Sequence, residues 1–194
     1  MMGSANQRAC GRQGRVADTG LVIRPAATAD IGRIQEIETT AGELFRALGM
    51  DAVADDPPPT VEQLSAYVAA GTAWVAADPA GEAIGYILID AQANGAHIEQ
   101  VTVHPQHARR GVGAALIGQV DQWAAEKGLE HLSLTTFRDV PWNGPYYERL
   151  EFRHLPGSQW SAELRGIVEG EANRGLASWP RTVMSRRVPA GPSA

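Results

Sequence analysis

The stretch Ile98-Glu99-Gln100-Val101-Thr102-Val103-His104-Pro105-Gln106-His107-Ala108-Arg109-Arg110-Gly111-Val112-Gly113-Ala114-Ala115-Leu116-Ile117 constrains the fold more than any other part of the chain. A β-rich run stops at a proline. A short basic loop follows, and glycines open a helix. Glycine lets backbone N–H groups approach an anion closely, and the unpaired first-turn N–H groups and dipole of a helix favour phosphate. Arg109 and Arg110 add positive charge at that mouth. The segment is read as a pyrophosphate cradle; the competing reading is a helix that merely begins with glycines. Two other phosphate-binding loops fit worse. The chain has no Gly-x-x-x-x-Gly-Lys-Ser/Thr, which removes a P-loop nucleotide hydrolase. Gly111-Val112-Gly113 runs on into Ala114-Ala115-Leu116, with no acid on a second strand at the right remove, so the dinucleotide fingerprint is not met.

The flanking sequence sets this unit in a larger sheet. A strand is expected at Leu21–Arg24, stopped by Pro25. Thr28 and Asp30 then open a helix whose Ile31, Ile34, Ile37, Ala41, Leu44 and Phe45 follow with helical spacing. The chain breaks at Asp55-Asp56-Pro57-Pro58-Pro59, and Thr60 with Gln63 forms a capping-box pattern before Val61, Leu64 and Val68. Thr72–Ala77 and Ala83–Asp90 are β-rich runs joined by Asp78-Pro79-Ala80-Gly81, a hairpin signal. A third run covers Ala96–Val103, and a helix covers Gly111–Lys127 with Gly128 as its stop. A strand at His131–Phe137, a short helix at Gly144–Leu150 and a strand at Arg181–Val188 complete the order β-α-α-β-β-β-α-β-α-β. Hairpins in the middle and a strand–helix–strand crossover after them give a mixed sheet with helices on its faces.

At 194 residues the chain is long enough for one domain with its own core. Residues 1–20 and 189–194 lack an apolar period and read as flexible tails, which leaves 21–188 as a single domain. A net charge of −5 argues against a nucleic-acid partner. No apolar run approaches the roughly 20 residues that a membrane span requires. The single cysteine, Cys10, excludes an internal disulfide and a multi-cysteine zinc site, and with no secretion-type leader it points to the cytoplasm. No metal-ligand spacing occurs, so no metal is expected.

Two motifs together resemble the GNAT superfamily of acyl-CoA-dependent N-acetyltransferases. The first is Val103-His104-Pro105 followed by Gly111-Val112-Gly113, similar to the family's strand ending in Val-x-Pro and its Gln/Arg-x-x-Gly-x-Gly/Ala loop; Ala108 stands at the Gln/Arg position. The second is Asn143-Gly144-Pro145-Tyr146-Tyr147-Glu148-Arg149-Leu150-Glu151-Phe152, in which Glu151 replaces a usual glycine, so that a different turn is expected there. They lie about 30 residues apart, as the family's middle helix and next strand require. The resemblance implies a GNAT-like α/β fold: a mixed, mostly antiparallel central sheet with helices on both faces. It implies acetyl-CoA as cosubstrate and direct attack of an amine on its thioester in a ternary complex.

Residue roles follow from the same resemblance. Tyr147 matches the general-acid tyrosine; the competing reading is a tyrosine packed in the core. Glu99, an acid in an otherwise apolar strand, is the candidate base, because partial burial raises a carboxyl pKa; the competing reading is a solvent-facing strand residue. His97, two residues back, is the other candidate base. Backbone groups of Val101 and Val103 are expected along the pantetheine arm, with a β-bulge splaying the strands. Arg109, Arg110, Gly111, Val112, Gly113 and Ala114 form the pyrophosphate cradle. Asn143 is either a contact to the arm or a helix N-cap.

The acceptor is expected to be a small-molecule primary amine, met between the first two helices and the C-terminal strands. Asp51, Asp55 and Asp56 lie in that region, and Phe45, Trp142, Trp160 and Trp179 are candidates to line an apolar pocket. The segment Gln159–Arg181 carries a helical pattern at Leu164, Ile167 and Val168. It is read as a cap over the pocket or a contact with a second copy of the chain. The alternative to an enzyme is a non-catalytic acyl-CoA-binding sensor on the same fold.

Overall fold

A computed structural model describes residues 20–189. The two tails, residues 1–19 and 190–194, and Cys10 with them, lie outside the described residues. Strand β1 (Val22–Pro25) is followed by a 3-10 turn (Thr28–Asp30) and helix α1 (Ile31–Gly42). Thr28 does not cap this helix. Asp30 closes the 3-10 turn before it: its carboxylate accepts the Ala27 N–H at 2.8 Å and a two-pronged bond from Arg24 at 2.7 and 2.8 Å. The Arg24 hydrogen bond is the main reason its pKa lies below the usual carboxylate range. A second 3-10 segment (Glu43–Leu48) and the one-turn helix α2 (Asp51–Ala54) follow. Helix α3 (Val61–Ala70) starts with the expected capping box: Thr60 Oγ1 accepts the Gln63 N–H at 3.2 Å and Gln63 Oε1 accepts the Thr60 N–H at 2.8 Å.

Strands β2 (Ala73–Ala77) and β3 (Ala83–Ala91) form the hairpin, its turn held by Asp78 Oδ1, which accepts the N–H groups of Ala80 and Glu82. Strand β4 (Gly95–Val103), helix α4 (Val112–Glu126) and strand β5 (His131–Phe137) make the crossover. Helix α5 (Gly144–Arg149), a two-residue strand β6 (Arg153–His154), helix α6 (Ala162–Asn173) and strand β7 (Arg181–Arg187) complete the chain. The sheet order is β1-β2-β3-β4-β5-β7-β6, and every pair is antiparallel except β4–β5. This is the mixed, mostly antiparallel sheet expected. The added elements are α2, β6 and a full α6, the first two too short to show a period.

Alternating strand residues divide the core into two layers. On one face Ile87, Ile98 and Leu134 meet Leu116 and Val120 of α4 and Tyr147 and Phe152 near α5. On the other face Val75, Tyr86 and Leu88 meet Ile34 and Ile37 of α1 and Leu64 of α3. A third, smaller cluster sits at the end of β5, where Phe137 packs with Met50 and Val140. The parallel pair β4–β5 is short. It runs only from Gly95 beside His131 to Ile98 beside Leu134, and beyond those residues the two strands do not pair. A β-bulge falls at the same place: Ile98 pairs with Ile89 and Gln100 with Leu88, leaving Glu99 as the extra residue. A bulge bends its strand and increases the local twist, so β4 turns away from β5 and a gap opens between them.

Candidate active site

The gap is lined by backbone. The His104 N–H donates to Ile84 O at 2.9 Å, so the strand period points the amides of Thr102 and His104 toward β3 and those of Val101 and Val103 toward the open side. The side chains of Val101 and Val103 pack on the α4 layer. Their main-chain groups therefore face the gap without a strand partner, as an extended amide-bearing ligand requires.

At the end of β4 the chain makes a 3-10 turn at Pro105–His107 and reaches α4 through Ala108–Gly111. Gly111 is the N-cap of α4 with φ +81°, and Arg109 is also left-handed, with φ +61°. A left-handed φ is easy for glycine and costs an L-residue roughly 1–2 kcal/mol. Arg109 and Arg110 are exposed and join no ion pair among the described residues. Val112 is buried with 4% exposure, so its side chain serves the core and only its N–H can serve a ligand. Gly113 has a close neighbour: a Cβ there would sit 2.8 Å from Tyr146 Oη. A side chain at Gly113 would displace that tyrosine. Ala114 lies in the same first turn.

Tyr147 and Glu99 lie on opposite faces of the sheet. Tyr147 belongs to the α4 layer, 9% exposed, with ring centroids 5.3 Å from Tyr146 and 5.8 Å from Phe152. Burial pushes its hydroxyl pKa up, so the phenol holds its proton. Glu99 is half-buried, and its carboxyl pKa is raised by burial first and by the nearby Asp90 carboxylate second. His97 is fully buried. Its Nδ1 lies 3.0 Å from Ser133 Oγ, its Nε2 has no partner, and burial lowers its pKa to about 4. Asn143 stands at the N-cap position of α5, where its carbonyl accepts the N–H groups of Tyr146 and Tyr147 but its side chain makes no capping bond.

Around Glu99 lie groups that local sequence patterns did not bring together. Glu38 of α1 accepts from Tyr86 Oη at 2.5 Å, Gln100 Nε2 at 2.9 Å and Thr102 Oγ1 at 2.7 Å, which ties α1 to β3 and β4 beside the bulge. Tyr67 of α3 donates to Asp90 at 2.8 Å. Arg181 of β7 pairs with Glu171 of α6 at 2.6 Å, and Thr135 donates to the same carboxylate. No signal within one element could have found these contacts, because each joins distant parts of the chain. Of the acids in the region before α3, Asp55 pairs with Arg46 at 2.6 Å and Asp51 lies 3.7 Å from it. Of the four candidate pocket aromatics, three gather. Phe45 packs on Phe137 and Trp142, and Trp179 packs on Phe137. Trp160 stands apart and donates to Leu155 O.

Two hollows accompany this arrangement. A cavity of about 200 Å³ adjoins the third core cluster. A larger groove of about 360 Å³ lies at the far end of α4, along Leu129, Glu130 and Arg187, and none of the residues named above lines it. Among the described residues no three His, Cys, Asp or Glu side chains gather as a metal site, and no helix is long and apolar enough to cross a membrane.

A splayed parallel pair, a bulge on its inner strand and a glycine-started helix at its mouth define an open α/β sheet built around a ligand slot. The family model described as Acetyltransferase (GNAT) family matches residues 35–152, and the chain belongs to that family. Solved structures share the fold. The PaiA N-acetyltransferase of Thermoplasma acidophilum, in complex with coenzyme A, superposes with a TM-score of 0.67 at 14% identity over 86% of this chain and 98% of that one. Rv2747 of Mycobacterium tuberculosis, solved with CoA, gives 0.64 at 21% over 86% and 98%. The ribosomal-protein-S18-alanine N-acetyltransferase of Escherichia coli gives 0.60 at 15% over 90% and 98%.

Proposed function

We propose that this protein is an acetyl-CoA-dependent N-acetyltransferase acting on a primary amine by direct transfer in a ternary complex. The observation that carries the reading is the end of β4–β5 pairing at Ile98 and Leu134, with the bulge at Glu99 beside it; Glu99 and Tyr147, on the two faces of the sheet, suit the roles of base and acid there. Acetyl-CoA supplies an activated thioester. The α4 N-terminus, Arg109 and Arg110 suit its pyrophosphate, and the outward amides of Val101 and Val103, with the Asn143 side chain, suit its pantetheine arm.

Each chemical demand then has a residue. An amine is protonated at neutral pH and must lose a proton before it can attack. Glu99, with its raised pKa, accepts that proton directly or through a water. The new C–N bond forms at the acyl carbon as the C–S bond breaks. The leaving thiolate takes the Tyr147 proton, and the tyrosine is restored from solvent. His97, neutral and enclosed, is the weaker base candidate because its pKa of about 4 leaves it little pull on an ammonium proton. No covalent enzyme intermediate is required, which leaves Cys10 without a role. The test is free-thiol release from acetyl-CoA with a panel of amines, aminoglycosides and peptides, with product masses read in parallel. A gain of about 42 Da, the mass of one acetyl group less a hydrogen, on one amine class is expected. Binding of acetyl-CoA with no acetylated product from any class would favour the sensor instead.

A further inference from the structure

The cavity of about 200 Å³ is walled by Leu48, Met50, Phe137, Val140, Pro141 and Trp179. Its walls come from the segment before α2, the end of β5, the loop toward α5 and the residues just before β7. An apolar cavity of roughly 150 Å³ holds one benzene ring, so this one is the size of a single ring or a branched alkyl group. The charged residue at its rim, Asp139, is held by Arg138 at 3.0 Å and offers little to a cation. Two large apolar side chains at this end of the molecule are left in water: Leu48 is 44% exposed and Trp142, edge to face with Phe45, is 40% exposed. An apolar ligand group would cover such surface.

Phe137, one of the cavity's walls, lies on β5 three residues past Leu134, where the pairing with β4 ends. The Arg181 guanidinium lies 4.7 Å from the Phe137 ring centroid. Arg181 in turn holds Glu171 and Thr135, next to Glu99 and Asp90 on the same face of the sheet. A ligand lying across these groups would have an apolar end in the cavity and a cationic end at the carboxylates.

Resting on the transferase reading, we propose that the cavity is a specificity pocket, and that the acceptor is a monoamine carrying an aromatic or branched aliphatic group. Polyamines and hydroxylated amines lack the group that fills it. An added methylene in an apolar pocket is worth about 10-fold or more in discrimination, so a whole ring exceeds that.

The test compares 2-phenylethylamine with ethanolamine in thiol release, and measures 2-phenylethylamine binding to the CoA-saturated protein by calorimetry. Both are repeated in Leu48→Trp, which fills the cavity, and Leu48→Asp, which charges its wall; the exposure of Leu48 lets either variant fold. The expected result is a kcat/KM at least tenfold higher for 2-phenylethylamine, with the preference and the binding lost in both variants. Equal or reversed preference overturns the pocket and leaves the transferase standing. Binding that the variants abolish, without turnover of either amine, upholds the pocket and overturns the transferase. Neither binding nor turnover of 2-phenylethylamine overturns the pocket.

Discussion

Glu151 adopts φ +68° in the turn that follows α5, a conformation that suits glycine and strains a side chain with a Cβ. Glu151, at the position of the family motif's glycine, holds a backbone that glycine would adopt without strain. Glu151→Gly is expected to stabilise the protein by about 1 kcal/mol, read as a higher urea midpoint at unchanged slope. His97 makes the opposite kind of demand. It is neutral in the folded protein down to about pH 4 and titrates near pH 6.5 when unfolded, so the unfolded chain binds the extra proton between those values. Stability from this residue is intact above pH 6.5 and falls as the pH drops toward 4, by ~3 kcal/mol in all. His97→Asn should flatten the loss of stability between pH 7 and pH 4.5, measured by denaturant titration; an unchanged pH slope would assign the acid sensitivity elsewhere. Neither feature was legible from the residue alone. The motif mismatch at Glu151 was visible but its φ was not, and the enclosure of His97 depends on strands drawn from both halves of the chain.

At the scale of elements, those with a long apolar period were legible. Strand β5 matches its expected bounds residue for residue, and the Thr60–Gln63 cap of α3 formed as read. The family resemblance implied a bulge in this strand, but its place at Glu99 had no such signal, because register belongs to a pair of strands. Helix α6 was visible only as a pattern, and the reason lies in how it is held. Leu164 and Glu171 are its buried residues, so its attachment rests heavily on one ion pair rather than on an apolar stripe. Glu171→Ala would leave Arg181 mostly enclosed without a counter-charge and should destabilise the fold by about 3 kcal/mol. Amide exchange in residues 162–173 should accelerate well before exchange in β2, β3 and β4. Uniform acceleration across the sheet would mean that α6 is integral to the core.

For the whole molecule, one asymmetry organises the rest. The sheet is continuous through β1–β4 and again through β5, β7 and β6, and the two halves are stitched only between Gly95–Ile98 and His131–Leu134. Gly95 permits that stitch, since a Cβ there would lie 2.7 Å from His131 O. The gap opens where the stitch ends, and the chain runs from the end of β4 into the N-terminus of α4. The glycine-started helix and the Tyr147 segment were readable because they lie in continuous motifs. The contacts of Glu38, Asp90, Glu171 and Arg181 were not, because each joins separate elements. The central claim is that Tyr147 serves the chemical step and the α4 mouth serves binding. It is tested most directly by comparing kcat with acetyl-CoA affinity in Tyr147→Phe. The account predicts that kcat falls by about 100-fold or more while the acetyl-CoA Kd stays within about twofold of wild type. An unchanged kcat would contradict it.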